Sequence, residues 1–307
     1  MEKSKRISHR EIFKEVKKNK VYYTMMAPFL LIFTVFTIVP VLMSIGLSFT
    51  TFDMINAPKW AGVNNYLYLL LKDDVFMLSL RNTLILAVII GPVSYFASFF
   101  FAWLINELQP KVRWILTIIF YAPSISGSAY LLWLLIFSGD MYGYLNALLL
   151  NMRLIDTPIL WLKTPKYALL ILIVVQLWLS LGISFLSFIA GLQVVDKTLY
   201  EAAAVDGIKN RWQELWYITL PQMKPQLMFG ALMQITSSFG IGTISMALLG
   251  NPSVEYSGHT VITHLLDFGQ GSQRMELGMA SAIATILFFI MMLANILVQK
   301  IIRRVGT

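Results

Sequence analysis

Long, uninterrupted runs of apolar residues are the feature that most restricts how this chain can fold. A helix needs about 20 apolar residues to cross a bilayer, and several runs reach that length. Only 13% of the 307 residues carry a charge, against about 25% in soluble domains. The bilayer core has no water to satisfy the backbone, so such runs must form helices. The sequence therefore predicts an all-α polytopic membrane protein.

The hydropathy pattern predicts six transmembrane helices. Their expected bounds are 22–50, 83–106, 114–138, 167–192, 227–249 and 277–299. The first run is too long for a cleaved signal peptide, so we expect it to be retained. Residues 1–21 are strongly basic with a partial apolar face, which predicts a cytoplasmic amphipathic segment on anionic lipid. The chain thus divides into residues 1–21 and a six-helix membrane domain, 22–307.

The placement of Lys and Arg predicts the orientation of the chain. With the N-terminus inside, the predicted inner segments hold 17 of the 24 basic residues, while the acidic residues divide evenly. Because cytoplasmic loops carry the excess of Lys and Arg, both termini and the loop at 193–226 are expected in the cytoplasm. The orientation in the membrane accounts for the excess of basic residues. We therefore expect no nucleic-acid partner.

The loop at 193–226 is the longest polar segment after the N-terminus that looks folded. Asp196 can cap a first short helix, and Gly207 can adopt the left-handed conformation that ends it. Asn210 can cap a second short helix. Alanines at 202–204 would let another backbone come close. The pattern predicts a helix–turn–helix element on which another protein docks.

The ordered residues of this loop carry a family resemblance. They read Leu199-Tyr-Glu-Ala-Ala-Ala-Val-Asp-Gly207, with Gly191-Leu-Gln before them and Trp212 and Ile218-Thr-Leu-Pro221 after them. This pattern resembles the EAA motif, or coupling helix, of permease subunits of bacterial ABC importers, in the carbohydrate-uptake branch of the maltose and multiple-sugar permeases. The likeness extends over nearly the whole chain. Ala204 and Leu249-Gly-Asn-Pro252 depart from it, and the second departure concerns the geometry of an outer loop.

The resemblance implies a type I ABC importer permease fold in a bacterial inner membrane, together with a set of partners. These are a second, similar permease subunit, two cytoplasmic ATPase subunits, an extracellular solute-binding protein and membrane lipid. ATP and Mg would belong to the ATPase, and no cofactor is expected in this chain. The residues expected to couple the chain to the ATPase are Glu201, Ala202, Ala203, Asp206, Gly207, Leu220 and Pro221. The competing interpretation is an ordinary amphipathic helix on the membrane surface.

Polar residues inside two spans indicate a possible solute path. No Asp, Glu, Lys or Arg lies in the middle of a predicted span, which argues against proton or ion coupling. The candidate substrate-binding residues are Gln176, Ser180 and Ser184 in span four, which share a helical face with Ser187, and Gln234, Ser237 and Ser238 in span five. Such neutral groups suit a hydroxyl-rich solute, but they are also common packing devices in membranes. Both interpretations stay open at this point.

Neighbouring residues are weaker candidates for the solute path. Trp178 lies about 200° around the helix from Gln176, since each residue turns about 100°, and we expect it to pack. Tyr121 and Ser124 lie beside Pro123 in span three and are minor candidates.

We expect no enzymatic activity and no metal site in this chain. It has no cysteine, and it has no Gly-Lys dipeptide, hence no P-loop to bind nucleotide phosphates. His259 and His264 lie in an outer loop, away from any buried serine with which they could form a catalytic dyad. Their i, i+5 spacing would put them on different faces of a helix. They are therefore expected to be solvated or to contact a binding protein.

The sequence thus predicts a transmembrane subunit of an ATP-driven importer for a sugar or oligosaccharide. The solute would arrive from an extracellular binding protein, and the 199–221 segment would couple the chain to separate ATPase subunits. Two alternatives remain. One is a permease of the same class for a non-sugar solute such as a glycerol phosphate ester. The other is a stand-alone secondary carrier, which the lack of intramembrane charge and of an internal repeat disfavours.

Overall fold

A computed structural model describes residues 18–271 and 275–303 of the chain, so most of the predicted 1–21 surface segment lies outside the described residues. The structure is predominantly helical, as predicted. A short antiparallel hairpin joins β1 (Thr50–Thr51) to β2 (Lys59–Trp60). In chain order the α-helices are α1 (Lys20–Phe33), α2 (Val39–Leu47), α3 (Asn64–Leu71), α4 (Asp74–Asn106), α5 (Pro110–Ile125), α6 (Leu131–Ile136), α7 (Tyr144–Asn151), α8 (Pro165–Leu179), α9 (Ile183–Val194), α10 (Lys197–Val205), α11 (Arg211–Glu214), α12 (Leu220–Gln222), α13 (Lys224–Phe239), α14 (Gly242–Leu249), α15 (Val261–Gln270) and α16 (Leu277–Ile302).

Within the described ranges, five helical segments are long and apolar enough to cross a membrane. They are Lys20–Leu47, Asp74–Asn106, Pro165–Val194, Lys224–Leu249 and Leu277–Ile302. These segments correspond to the first, second, fourth, fifth and sixth predicted spans. The first of them contains no buried residue in its helices, so its apolar side chains are free to contact lipid.

The third predicted span, 114–138, is not a continuous helix. Helix α5 ends at Ile125, a turn occupies 126–130, and α6 adds only six residues. Pro123 removes a backbone donor near the end of α5, and Ser126 then adopts extended backbone. Five of the six predicted spans are therefore present as membrane-length helical segments.

The segments Pro165–Val194 and Lys224–Leu249, which correspond to the fourth and fifth predicted spans, are each interrupted. Residues 180–182 separate α8 from α9, and residues 240–241 separate α13 from α14. The predicted face from Gln176 to Ser187 assumed one regular helix, and that assumption is wrong because the interruption at 180–182 changes the helical phase. Membrane helices tolerate such interruptions where neighbouring groups satisfy the freed backbone.

Two apolar clusters distinguish the ends of the bundle. At one end, Met223 and Phe188 pack with Ile302 at the end of α16. At the other end, Phe76 near the start of α4 packs with Val261 of α15. The loop at 193–226 and the C-terminal end of α16 therefore lie at the same end of the bundle, which we call the loop end; the opposite end is the far end.

Candidate functional site

Helix α10 begins and ends where its capping residues predict. Asp196 Oδ1 accepts a hydrogen bond of 3.0 Å from a first-turn backbone N–H. At the other end Gly207 has a φ of +94°, and the Gly207 and Ile208 N–H groups donate to the carbonyls of Ala204 and Ala203 at 3.4 and 2.9 Å. These two bonds form the Schellman motif, which favours glycine at this position. The sequence prediction of both helix ends is confirmed.

The exposed side of α10 carries most of the predicted coupling residues. Glu201, Ala202, Asp206 and Gly207 are exposed, whereas Ala203 is buried against its own chain. A Cβ atom at Gly207 would have no heavy atom within 4 Å. The loop therefore presents a carboxylate, a small side chain and an open turn to any protein that approaches it.

The second half of the loop is fastened to the rest of the chain. Asn210 Oδ1 accepts a 2.9 Å hydrogen bond from Gln213 N–H, which confirms the second predicted cap. Arg211 forms an ion pair of 3.1 Å with Glu107, just after α4, and the Trp212 ring lies 5.2 Å from that of Trp103. These contacts connect the loop to the C-terminal end of α4.

The two short helices of the loop are also tied to each other and to α13. The hydroxyls of Tyr200 and Thr219 lie 2.9 Å apart, linking α10 to the segment before α12. Leu220 packs against the loop-end cluster, in which Met223 is fully buried. Pro221 lies in the first turn of α12, as predicted. These contacts connect the loop to the start of α13.

The predicted polar residues of spans four and five meet inside the bundle. Gln176 Nε2 donates to Ser237 Oγ at 3.3 Å. Gln234 Nε2 lies 3.2 Å from the carbonyl of Ser180 and 3.3 Å from Ser98 Oγ. The interruption at 180–182 ends the regular helix at Ser180, and the Gln234 amide satisfies the carbonyl there. We call these residues the central polar cluster.

Ser184 and Ser238, the other two candidates, are also buried. Ser238 Oγ donates to a carbonyl of its own helix at 2.9 Å. Among the described residues, Gln176 Oε1 is buried without a hydrogen-bond partner. In this conformation the residues of the cluster bond to one another, and the Gln176 Oε1 acceptor remains without a partner among the described residues.

Helix α4 contributes residues that sequence reasoning missed. Ser98 joins the central polar cluster, and Gly91 lies so close to Ser238 that an added Cβ would be 3.4 Å from its Oγ. Ser94 lies between them in sequence and is buried. The spacing i, i+3, i+7 puts these small residues on one helical face, a signal that was available in the sequence.

The weaker candidates separate into packing residues and neighbours of the interruption. The Trp178 ring packs edge-on against that of Trp133, with centroids 5.7 Å apart, in keeping with the packing role predicted for it. Ser124 lies next to Gly182, where an added Cβ would be 3.4 Å from the Ser124 Cβ. Helix α5 thus reaches the interruption between α8 and α9 through Ser124.

The two histidines of the far end are not solvated, and that expectation is wrong. His259 is 1% exposed and His264 is 6% exposed. The spacing argument failed because His259 precedes Thr260, the N-cap of α15, and so is not on the helix. The rings pack edge-on with centroids 5.7 Å apart.

Each histidine faces a carboxylate. His264 Nε2 lies 2.9 Å from Asp73 Oδ2, and His259 Nε2 lies 3.2 Å from Asp267 Oδ2. Burial lowers the pKa of His259 to about 4, although Asp267 partly opposes that shift. The His259 imidazole is therefore neutral at pH 7, and its contact with Asp267 is not an ion pair of full charges.

The chain thus combines membrane-length helices, a capped loop at one end and a polar cluster inside the bundle. Residues 101–307 match the family described as binding-protein-dependent transport system inner membrane component. The chain belongs to this family.

Curated relatives and solved structures agree with that assignment. The chain is 33% identical to the probable ABC transporter permease protein YesP of Bacillus subtilis over 92% of this chain and 91% of that protein. It is 33% identical to the lactose transport system permease protein LacF of Rhizobium radiobacter over 70% of each. A crystal structure of a bacterial ABC transporter involved in the import of the acidic polysaccharide alginate matches 96% of this chain and 99% of that chain with a TM-score of 0.76 at 22% identity. The fold is thus the type I importer permease fold.

Proposed function

We propose that this chain is the transmembrane subunit of an ATP-driven importer that carries a sugar or oligosaccharide into the cytoplasm. The observation that carries the proposal is the loop at 193–226. It exposes a motif that a partner can contact, and it is fastened to the helices that bear the central polar cluster. A docking surface joined in this way can convert the movement of a partner into movement of the bundle.

The partner at the loop would be a pair of separate ATPase subunits that bind ATP and Mg. Glu201 offers a carboxylate to donors on that partner, while Ala202 and Gly207 leave room for its backbone. Asp206 lies next to the turn, and Leu220 and Pro221 connect the surface to α13. Ala203 supports the helix from its inner side. This chain itself would not act as an enzyme.

The solute would pass the central polar cluster. Gln176 and Gln234 supply amide donors and acceptors, and Ser180, Ser184, Ser237 and Ser238 surround them with small polar groups. The unpartnered Gln176 Oε1 can accept a hydrogen bond from a solute hydroxyl once the helices separate. The names of relatives that transport lactose and arabinooligosaccharides support a sugar. The uncharged cluster disfavours the alternative of a phosphate ester, whose charge needs cationic or multiple backbone donors.

The topology follows from the distribution of charge. Both termini and the loop at 193–226 would be cytoplasmic, and the far end would face an extracellular binding protein. A second permease subunit would complete the path. A bundle with an apolar, unburied first span has surface available for lipid and for such a partner.

Reconstitution tests the proposal. The chain is placed in liposomes with its candidate ATPase, second permease and binding protein, and uptake of labelled sugars is measured with and without ATP. We expect uptake only with ATP and with all four components. Uptake by this chain alone without ATP would indicate a secondary carrier, and uptake of glycerol phosphate esters in preference to sugars would favour the other alternative.

A further inference from the structure

The far end of the bundle holds a group of metal-ligating side chains that the transport path does not use. His259, His264 and Asp267 each place one ligand atom within 4.8 Å of the others. Two elements bring them together: the turn before α15 supplies His259, and α15 itself supplies the other two. We call these three residues the far-end triad.

Two ring nitrogens of the triad are buried and are not matched by a hydrogen-bond partner in the described part of the chain. His259 Nε2 and His264 Nδ1 have no hydrogen-bond partner among the described residues, although His259 Nε2 lies 3.2 Å from Asp267 Oδ2. Buried polar atoms are nearly always satisfied. A cation placed between these two nitrogens and the Asp267 carboxylate would be bound by all three groups.

The surroundings of the triad already hold its members in place. His264 Nε2 is 2.9 Å from Asp73 Oδ2, which leaves Nδ1 as the free ring nitrogen. Asn251 donates to Asp267 Oδ1, which leaves Oδ2. Metal-binding histidines usually donate their other nitrogen to a carboxylate or carbonyl, and this contact fixes the ring.

We propose that the far-end triad binds one divalent transition-metal ion of the Zn²⁺ class, with Asp73 as the positioning residue for His264. Two imidazoles and a carboxylate suit such an ion, whereas Mg²⁺ and Ca²⁺ prefer oxygen ligands. Ligands arranged tetrahedrally about 2.1 Å from Zn²⁺ lie about 3.4 Å apart. The ligand atoms of the triad all lie within 4.8 Å of one another, so binding would bring them closer by up to about 1.4 Å. Side-chain rotations would supply that movement.

Two of the three triad residues lie at a cleft through which an ion and a coordinating water would enter. His264 and Asp267 line a cleft of about 740 Å³ that also contacts Asp73 and Asn251. Zn²⁺ sites with three protein ligands keep a fourth position for water or another ligand. A bound ion would join the turn before α15 to α15 itself, which the His264–Asp73 contact already links to the start of α4. This proposal does not depend on which solute the chain transports.

Metal binding to the untagged, chelator-treated full chain in detergent tests the proposal. We expect one Zn²⁺ per chain by isothermal titration and by elemental analysis, and no binding of Mg²⁺ at the same concentration. His259→Ala and His264→Ala should lose the ion at concentrations that saturate the wild type. Asp73→Asn should keep the stoichiometry but bind about 10- to 100-fold more weakly, as expected for a residue that orients a ligand.

His9→Ala and Asp156→Asn serve as matched controls that remove a histidine and an aspartate outside the triad, and both should bind Zn²⁺ like the wild type. If the His259 variant does not fold, the Co²⁺-loaded wild type provides the answer without a substitution, because its visible spectrum reports nitrogen ligands. An absence of stoichiometric binding, binding unchanged in His259→Ala, or an all-oxygen Co²⁺ spectrum would each overturn the proposal.

Discussion

Gly207 provides the sharpest test of the docking loop. Its φ of +94° is a conformation that L side chains rarely adopt, and a left-handed conformation costs a non-glycine residue roughly 1–2 kcal/mol. Gly207→Ala adds this strain without a clash, because nothing lies within 4 Å of the new Cβ. An energy of that size changes a conformational equilibrium by about 5- to 30-fold. We expect solute-stimulated ATPase activity of the reconstituted importer to fall by a factor in that range.

Gly207→Trp separates backbone strain from contact with the partner. Both substitutions add the same backbone strain, and neither brings its Cβ within 4 Å of another heavy atom of this chain, so we expect the isolated variants to unfold at similar temperatures. In the complex the Trp side chain would meet the ATPase, and we expect a greater loss of coupling than with Ala. Gly62→Ala is the control, since Gly62 also has a positive φ (+59°) but lies away from the loop. Unchanged coupled ATPase activity in Gly207→Trp would refute the docking proposal.

Two further predictions concern the solute path and the orientation. Gln176→Ala removes the proposed hydrogen bond to the solute, worth a net ~0.5–1.5 kcal/mol, and should raise the apparent KM for uptake roughly 2- to 12-fold. Gln299→Ala is the control, and an unchanged KM in Gln176→Ala would remove Gln176 from the path. Since the chain has no cysteine, Val205→Cys and Ile55→Cys, both 89% exposed in the wild-type side chain, can be labelled singly with an impermeant thiol reagent. We expect intact cells to label only the cysteine at position 55, and the reverse result would contradict the orientation.

The sequence predicts the loop well because its structure is decided locally. Asp196 and Asn210 accept hydrogen bonds from the backbone within three residues, and Gly207 ends a helix through bonds to the preceding turn. Such contacts depend on neighbouring residues and hardly at all on tertiary packing. The long apolar spans can also be predicted from the sequence, because the thickness of the bilayer sets the length of a helix that crosses it.

Features that depend on tertiary contact were not predicted. The interruption at 180–182 is stabilised by Gln234, which lies 54 residues away in sequence, and no local pattern marks it apart from Gly182. The burial of His264 depends on Asp73, at a separation of 191 residues. Spacing along one helix could not reveal either pairing, since each joins different elements.

The positions of the close contacts indicate which part of the bundle follows the loop. An added Cβ at Gly191 would lie 2.8 Å from Gln226 Cγ, and one at Gly230 would lie 2.4 Å from the Phe188 ring. Helices α9 and α13 are therefore packed too closely to slide past each other without repacking. Both are interrupted toward the far end, at 180–182 and 240–241. A displacement of the loop would thus move α9 and α13 as one body, and the Gln234–Ser180 contact would move with them. The Gln176–Ser237 contact joins α8 to α13 across the first interruption, so we expect it to break when the cluster opens.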